Sequence, residues 1–507
     1  MSEARFSAPS ALVDQLTECA RTRSDRVALI APEGASTYAD LLESSGRVAG
    51  ALLGGQLDMK ATRVATLVPP GSSWTATALG VWRAGGVLVP LPLTAPAPEL
   101  GQVLGDSQPE VVIAADELVR DVAGPASDNR VVVRRVGELL ATEAPAHLPV
   151  IPPNRDALML YTSGTTGRPK GVVHTHGGLA SQVGSLHKAW GWRKDDHVLL
   201  VLPLHHVHGI VNVLVCALAA GARCTIHPKF ESTAVWEALA NDNLTLFMAV
   251  PTIYARLADE HARADAATGK SWAAGARRLR LHVSGSAALP VQLHERWEEL
   301  TGHRLLERYG MTEIGMALSS LVDGGRWPGH VGWPLPYVEV RVTDDGGSVL
   351  SAGEAGELQV RGPLLFREYW RRPEETAEAF TADGWFRTGD EVVEMSRGFR
   401  ILGRQSVDIL KSGGEKVSAL EVEEMLRTHP EIAECAVVGV PDEEWGERIC
   451  AAVVAGPGHT PDPTALRAWA RKQLSPWKVP REIRAVTELP RNALGKVVKP
   501  RVRGLFG

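Results

Sequence analysis

The sequence predicts an α/β protein: a large N-terminal domain of parallel α/β layers with a β-rich subdomain, then a small α+β domain. Three observations predict it. Short apolar runs alternate with helical segments from Val27 to Glu313. From Val331 the apolar residues recur at period two in short pieces cut by turn residues. At Ile401-Leu402-Gly403-Arg404 that pattern stops, and a second, shorter series of strand and helix signals follows. The expected division is residues 1–403 and 409–507, with 404–408 as the link.

In chain order, Val27-Ala28-Leu29-Ile30 reads as a strand, and Thr37 opens a helix running to about Leu53. Residues 64–68, 87–91 and 111–114 are strands, with helices at 73–83 and 99–106 between them. Residues 121–155 are rich in Pro, Asp and Glu and read as a connection with one strand at 131–133. Ala157-Leu158-Met159-Leu160 is a buried strand, followed by a helix at 176–190 and a strand at 198–201. An apolar helix is expected at 210–219, strands at 244–250 and 279–283, and a helix at 253–264. The β-rich part has strands at 338–342, 356–360 and 391–395, with Trp385 to Asp390 as a closing segment. The last domain holds a helix at 419–427, strands at 437–440 and 451–454, and a helix at 462–474.

The 507 residues suffice for more than one core, and a net charge of −5 gives no sign of nucleic acid as a partner. No run of 18 apolar residues occurs, so no membrane span is expected. Cys19, Cys216, Cys224, Cys435 and Cys450 form no C-x-x-C pair, and their odd number argues against a disulfide framework. Reduced packing thiols imply a reducing compartment. The cytoplasm is expected, or the mitochondrial matrix if a presequence has been removed: Arg5, Arg21 and Arg23 favour such a leader, whereas Glu3, Asp14 and Glu18 oppose it. The expected partners are small molecules, and the expected state is a monomer or weak dimer.

The chemistry concentrates in Tyr161-Thr162-Ser163-Gly164-Thr165-Thr166-Gly167-Arg168-Pro169-Lys170-Gly171. Glycines bring backbone N–H groups close to an anion, hydroxyls donate to phosphate oxygens and Lys170 adds a cation. It is not a G-x-x-x-x-G-K-[ST] loop, because Arg168 and Pro169 separate Gly167 from Lys170. Its order resembles the phosphate loop of the adenylate-forming enzymes, a superfamily that includes acyl-CoA synthetases, luciferases and peptide-synthetase adenylation domains. Leu305 to Glu313, Trp385 to Asp390, Arg404 and the tail Leu489 to Lys496 resemble further motifs of that family. The resemblance implies ATP, Mg²⁺ and coenzyme A. It implies nucleotide contacts from Thr162, Ser163, Gly164, Thr165, Thr166, Gly167, Lys170, Gly285, Glu307, Tyr309, Gly310, Met311, Thr312, Asp390 and Arg404. It makes Thr165 and Glu313 the metal residues, Glu313 and Lys496 catalytic, and Lys411, Ser412, Gly413 and Gly414 the CoA face. It also implies that the C-terminal domain is mobile, turning about 404–408 to withdraw Lys496 and admit the thiol.

His205, His206 and His208 lie within four residues. Metal ligands usually come with a carboxylate or cysteine set, so a pocket-lining role is preferred. Arg308 sits just before Tyr309, and Arg256 and Ser286 fall at the mouths of neighbouring strands. Two buried guanidinium groups would be costly in a fatty-acid tunnel but would pair with a second carboxylate on the substrate. The stretches His205 to Gly209, Ser284 to Pro290, Glu307 to Met311 and Phe366 to Trp370 resemble malonyl-CoA synthetases. That resemblance implies an ATP-dependent malonate–CoA ligase also accepting methylmalonate, with His206, Arg256, Ser286 and Arg308 at the acid. The alternatives are another short acid, a carrier-protein thiol as acceptor, or a nucleotide-binding scaffold without activity.

Overall fold

The computed structural model describes residues 10–162, 169–412, 415–442, 444–491 and 496–507. Two sheets form the N-terminal part. One has nine strands, and its centre is parallel: Arg223–Ile226, His197–Leu200, Leu246–Ala249, Leu281–Gly285 and Leu306–Met311 lie side by side. The other has seven strands and centres on Arg63–Leu67, Val87–Pro90, Val111–Ala114 and Asp156–Thr162. The parallel strands are apolar on both faces, as burial under helices on each side requires. One contiguous core, including Trp82, Trp190, Trp236, Trp297 and Tyr254, joins the two sheets and the helices between them.

The layers are not wholly parallel. Asp156–Thr162 runs antiparallel to Lys170–Thr175, with Thr162 opposite Lys170. The phosphate-loop motif therefore spans a strand-to-strand reversal rather than the start of a helix. Leu306–Met311 likewise turns back into the antiparallel Gly315–Ser319. Gly310 is required there, since a Cβ would stand 2.0 Å from the Gly315 carbonyl oxygen.

Two local expectations change. Residues 121–155 hold a helix, Val119–Asp128, despite Pro125 inside it, and a second at Val136–Leu140. Val122, Pro125 and Ala126 form a buried i, i+3, i+4 stripe that outweighs the proline penalty. The expected helix at 210–219 is a π-helix, His208–Val215, running into an α-helical turn at Cys216–Ala220. A π segment of this length is uncommon and often marks a functional site; this one begins on a site histidine.

The β-rich part is a four-stranded antiparallel sheet, Glu339–Thr343, Ala355–Arg361, Phe386–Met395 and Gly398–Arg404. Residues 386–390 belong to its third strand rather than to a closing segment. The chain leaves this sheet at Arg404 and enters a five-stranded one at Ile409. That sheet has cores on its two faces, one around Leu410, Val422 and Val437 and one around Val438, Val502 and Phe506. Contacts back to the N-terminal part are mostly polar: Lys416 to Asp345 at 3.2 Å, Gln292 to the Arg427 carbonyl at 2.9 Å, and Ser418 to the Leu402 carbonyl. All five cysteines are buried and free. No described helix is long and apolar enough to cross a membrane.

Candidate active site

Ligands of parallel sheets gather beyond the carboxyl ends of the strands, and there the predicted residues converge. Asp390 and Arg404 face each other across an antiparallel pair. The Arg404 Nε–H donates to Asp390 Oδ1 at 3.0 Å, and the Tyr309 hydroxyl donates to Oδ2 at 2.5 Å. Burial, then the Asp390 charge, holds the Tyr309 pKa far above the ordinary phenol range. Burial works against the Arg404 cation, but Asp390 outweighs it and the pKa rises. A carboxylate has about four acceptor positions, so Asp390 retains capacity for hydroxyls beyond these two donors.

Glu313 is buried, and its Oε1 accepts from the Tyr369 hydroxyl at 3.0 Å. Burial pushes its pKa up, while the Tyr369 hydrogen bond, Arg404 and Lys170 pull it down. Lys170 forms an ion pair with Glu375, and its ammonium lies 5.1 Å from the Tyr369 ring centre. Neither Tyr369 nor Glu375 stands among the predicted site residues. The signal for Tyr369 was present in Phe366 to Trp370: Glu368–Tyr369 pairs with Lys170–Thr175, which lays that stretch along the exit of the phosphate loop. Glu375, on the short helix Pro373–Glu378, carried no such signal.

The acid end is built around Arg308, of which 3% is exposed. Its Nη2–H donates to Ser286 Oγ at 3.1 Å, and Ser286 Oγ lies 3.4 Å from His208 Nδ1. Ser286 has φ +70°, a left-handed backbone conformation uncommon for a residue with a side chain, at the end of Leu281–Gly285. Gly285 makes room for the guanidinium, since a Cβ would stand 2.6 Å from Arg308 Cζ. Nε and Nη1 of Arg308 are buried without a hydrogen-bond partner among the described residues. Burial pushes the Arg308 pKa down to about 9. The His205 and His206 rings lie 4.2 Å apart. Burial, then His205 and Lys496, pushes His206 down to about 3; burial, then Arg308, holds His208 well below the usual imidazole range. These are neutral imidazoles, and the positive charge beside them comes from Arg308 and Lys496.

Lys496 belongs to this cluster. Crowding by protein lowers its pKa, and the charges of Arg308 and Arg404 lower it further. The residue keeps access to solvent. The tail of the C-terminal sheet is thus turned toward both ends of the site.

Other predicted residues fall differently. Arg256 is exposed, so the expected pair of buried guanidinium groups is a single one. It lies on Pro251–Arg263, off the stripe Ile253, Tyr254, Leu257 and Ala258 that faces the core. The Glu307 carboxylate is taken by His294 Nδ1 at 3.3 Å and the Gly329 N–H at 3.1 Å. Alternation along the strand sends it away from Arg308, leaving only its backbone for a nucleotide. Met311 and Thr312 are half-buried at the turn after that strand. Lys411 is exposed, but Ser412 is buried and offers no exposed side chain to a thiol-bearing ligand. Ser163, Gly164, Thr165, Thr166, Gly167, Gly413 and Gly414 lie outside the described residues.

Residues 16–370 match the AMP-binding enzyme family model, and residues 421–496 match the model of the AMP-binding enzyme C-terminal domain. The chain belongs to the AMP-binding enzyme family. This AMP-binding enzyme is 44% identical to the mitochondrial malonate–CoA ligase ACSF3 of Homo sapiens, over 94% of this chain and 89% of that protein. It is 39% identical to a malonate–CoA ligase of Arabidopsis thaliana, over 94% and 86%. ATP-bound MatB from Rhodopseudomonas palustris superposes with a TM-score of 0.90 at 33% identity, covering 97% of this chain and 99% of that one. The AMP-binding enzyme thus shares the α/β fold with a smaller C-terminal unit seen in that structure.

Proposed function

We propose that this AMP-binding enzyme is an AMP-forming malonate–CoA ligase. Malonate, ATP and CoA give malonyl-CoA, AMP and pyrophosphate through a malonyl-adenylate, and methylmalonate is also accepted. The observation that carries the acid is the buried Arg308 guanidinium, with Ser286 on one nitrogen and two nitrogens unpaired. An underpaired buried cation is costly unless a ligand pairs it. A carboxylate is the planar acceptor a guanidinium fits best. The names of the relatives support the same acid. Arg256, exposed on its helix, contributes from the rim through a field that solvent screens.

In the first step one malonate carboxylate oxygen attacks the α-phosphorus of ATP and pyrophosphate leaves. In the second the CoA sulfur attacks the acyl carbon and AMP leaves. Like charges meet in the first step, so catalysis is positioning and charge neutralisation. Arg308 and Ser286 hold the distal carboxylate, and His206 closes the pocket with a neutral ring. Tyr309, Asp390 and Arg404 hold the nucleoside, with Asp390 accepting from the ribose hydroxyls. Lys170 passes from Glu375 to the outer phosphates, and Lys496 neutralises the reacting oxygens. Glu313 suits Mg²⁺: one buried carboxylate oxygen set beside bound phosphates is the usual protein share of that ion's ligands. When bound, the ion neutralises phosphate charge; Glu313, with Thr165, would hold it. For the second step we infer that the C-terminal unit turns about 404–408 and offers Lys411 and the stretch 412–414 to CoA. The polar contacts between it and the N-terminal part, Gln292 to the Arg427 carbonyl and Lys416 to Asp345 among them, suit such a turn. The five buried thiols fit a reducing compartment, the cytoplasm or the mitochondrial matrix.

The test is ATP–pyrophosphate exchange with malonate, methylmalonate, acetate and octanoate, followed by thioester formation with free CoA and with a holo-carrier protein. Malonate is expected to exceed acetate by about tenfold or more, since one hydrogen-bonded ion pair is worth about 1.5–3 kcal/mol. Octanoate turnover above malonate would overturn the assignment, and a holo-carrier preferred over CoA would change the acceptor. Asp390→Asn is expected to raise the KM for ATP by about tenfold, because the charge-assisted bonds to Arg404 and Tyr309 weaken. An unchanged KM would remove Asp390 from the nucleotide site.

A further inference from the structure

Three residues beyond Lys496, the Lys499 side chain turns inward. Only 12% of it is exposed, and its ammonium meets three acceptors from three separate segments. Glu423 Oε1 lies at 2.5 Å, the Val437 carbonyl at 2.7 Å and Asp408 Oδ1 at 3.1 Å. An ammonium has three protons, so the set is complete. Both oxygens of each carboxylate are engaged. Glu423, 5% exposed, also accepts from the Val437 N–H at 2.8 Å and from Arg427 Nη2 at 3.1 Å. Asp408 Oδ2 accepts from the Arg404 N–H at 3.2 Å, and the Asp408 N–H returns a bond to the Arg404 carbonyl at 2.7 Å. Two cations and two anions balance. Burial works against the Lys499 charge, but Glu423 and Asp408 outweigh it and its pKa is raised.

The same chain of bonds continues outward. Arg404 holds Asp390, and Asp390 holds Tyr309. On the other side, the loop carrying Lys496 is closed at its base, where Arg491 pairs with Val497 and the Val498 N–H donates to the Pro490 carbonyl at 2.8 Å. Lys499 begins the helix directly after that closure. Buried ion clusters of this kind add little net stability over apolar packing, but they fix geometry sharply.

We propose that Lys499 is a positioning residue: through Asp408 and Glu423 it clamps the tail bearing Lys496 to the exit of the 404–408 link, so that the tail and Asp408 at that exit move as one rigid body. The clamp delivers Lys496 to the phosphate and acid site whenever the link holds its present turn. It takes no part in the second step, in which Lys496 is not used.

The experiment measures both half-reactions and the Tm for Lys499→Met, Lys499→Arg and Glu423→Gln. For Lys499→Met, kcat of ATP–pyrophosphate exchange with malonate is expected to fall about 10- to 100-fold, the scale of an ångström-sized misplacement. The KM for ATP and for malonate should hardly move. Thioester formation from supplied malonyl-adenylate and CoA should stay near the parent rate. Lys499→Arg, which keeps charge and donors, should restore most of the exchange, and Glu423→Gln should show a smaller loss of the same kind. Equal loss in both half-reactions with a matching fall in Tm would overturn the proposal, as would unchanged exchange or failure of arginine to rescue. If Lys499→Met does not fold, Glu423→Gln decides by the same split. Absence of malonate exchange in the parent enzyme would instead strike at the choice of acid.

Discussion

Arg308→Met is expected to lower kcat/KM for malonate about 30- to 5,000-fold, equivalent to about 2–5 kcal/mol, the range for removing one member of a buried charge pair. Acetate, which has no distal charge, should lose far less, so the preference between the two acids narrows or inverts. The Tm of the ligand-free protein is expected to stay level or rise, because the variant removes a buried cation whose Nε and Nη1 are unpaired. Malonate should raise the parent Tm through binding to the folded state and should cease to do so in the variant. Steady-state kinetics on the two acids and thermal shift with and without malonate check each part. A parallel loss for both acids with a lower Tm would make Arg308 a structural residue. Ser286, held at φ +70° against both Arg308 and His208, is the site's second fixed point. Its left-handed backbone is local strain, tolerated where a side chain must be aimed.

Lys496→Ala is expected to cut malonyl-adenylate formation by about 10²–10³-fold, the scale of losing one preorganised charge-stabilising donor. Thioester formation from supplied malonyl-adenylate should be largely spared; equal loss in both half-reactions would sink the role. The pH profile gives a further check. The protonated ammonium is the working form, and its pKa is lowered in the free enzyme. Adenylation kcat/KM is therefore full below that pKa and is lost as pH rises through it, earlier than for an ordinary lysine. Arg308, pushed down to about 9, adds its own alkaline loss. The two separate by substrate: the Arg308 limb should appear with malonate only, and the Lys496 limb with both acids.

The motifs were legible because each is contiguous in sequence. The phosphate loop, the Tyr309 to Glu313 turn and the Lys496 tail each set a backbone path and a row of functional groups within about ten residues. The alternation of strands and helices likewise placed those motifs at strand ends. Misreadings arose where local signals compete with distant packing. Pro125 argued against a helix that the burial of Val122 and Ala126 stabilises. The apolar run after His208 was helical but wound as π, with buried Asn212 Oδ1 accepting from Gln182 Nε2 at 2.8 Å.

By itself the sequence determined the fold class, and it named the residues proposed here for the nucleotide and the acid. Tertiary structure alone decided which arginine is buried, and so which one stands as a costly, underpaired charge. It alone paired Lys170 with Glu375, turned Glu307 toward His294, and set Lys499 among Glu423, Asp408 and Val437, 62 or more residues away. The physical reason is that backbone path and residue type are local properties. Desolvation and charge pairing depend on what the rest of the chain brings into contact, which no stretch of neighbours in sequence specifies.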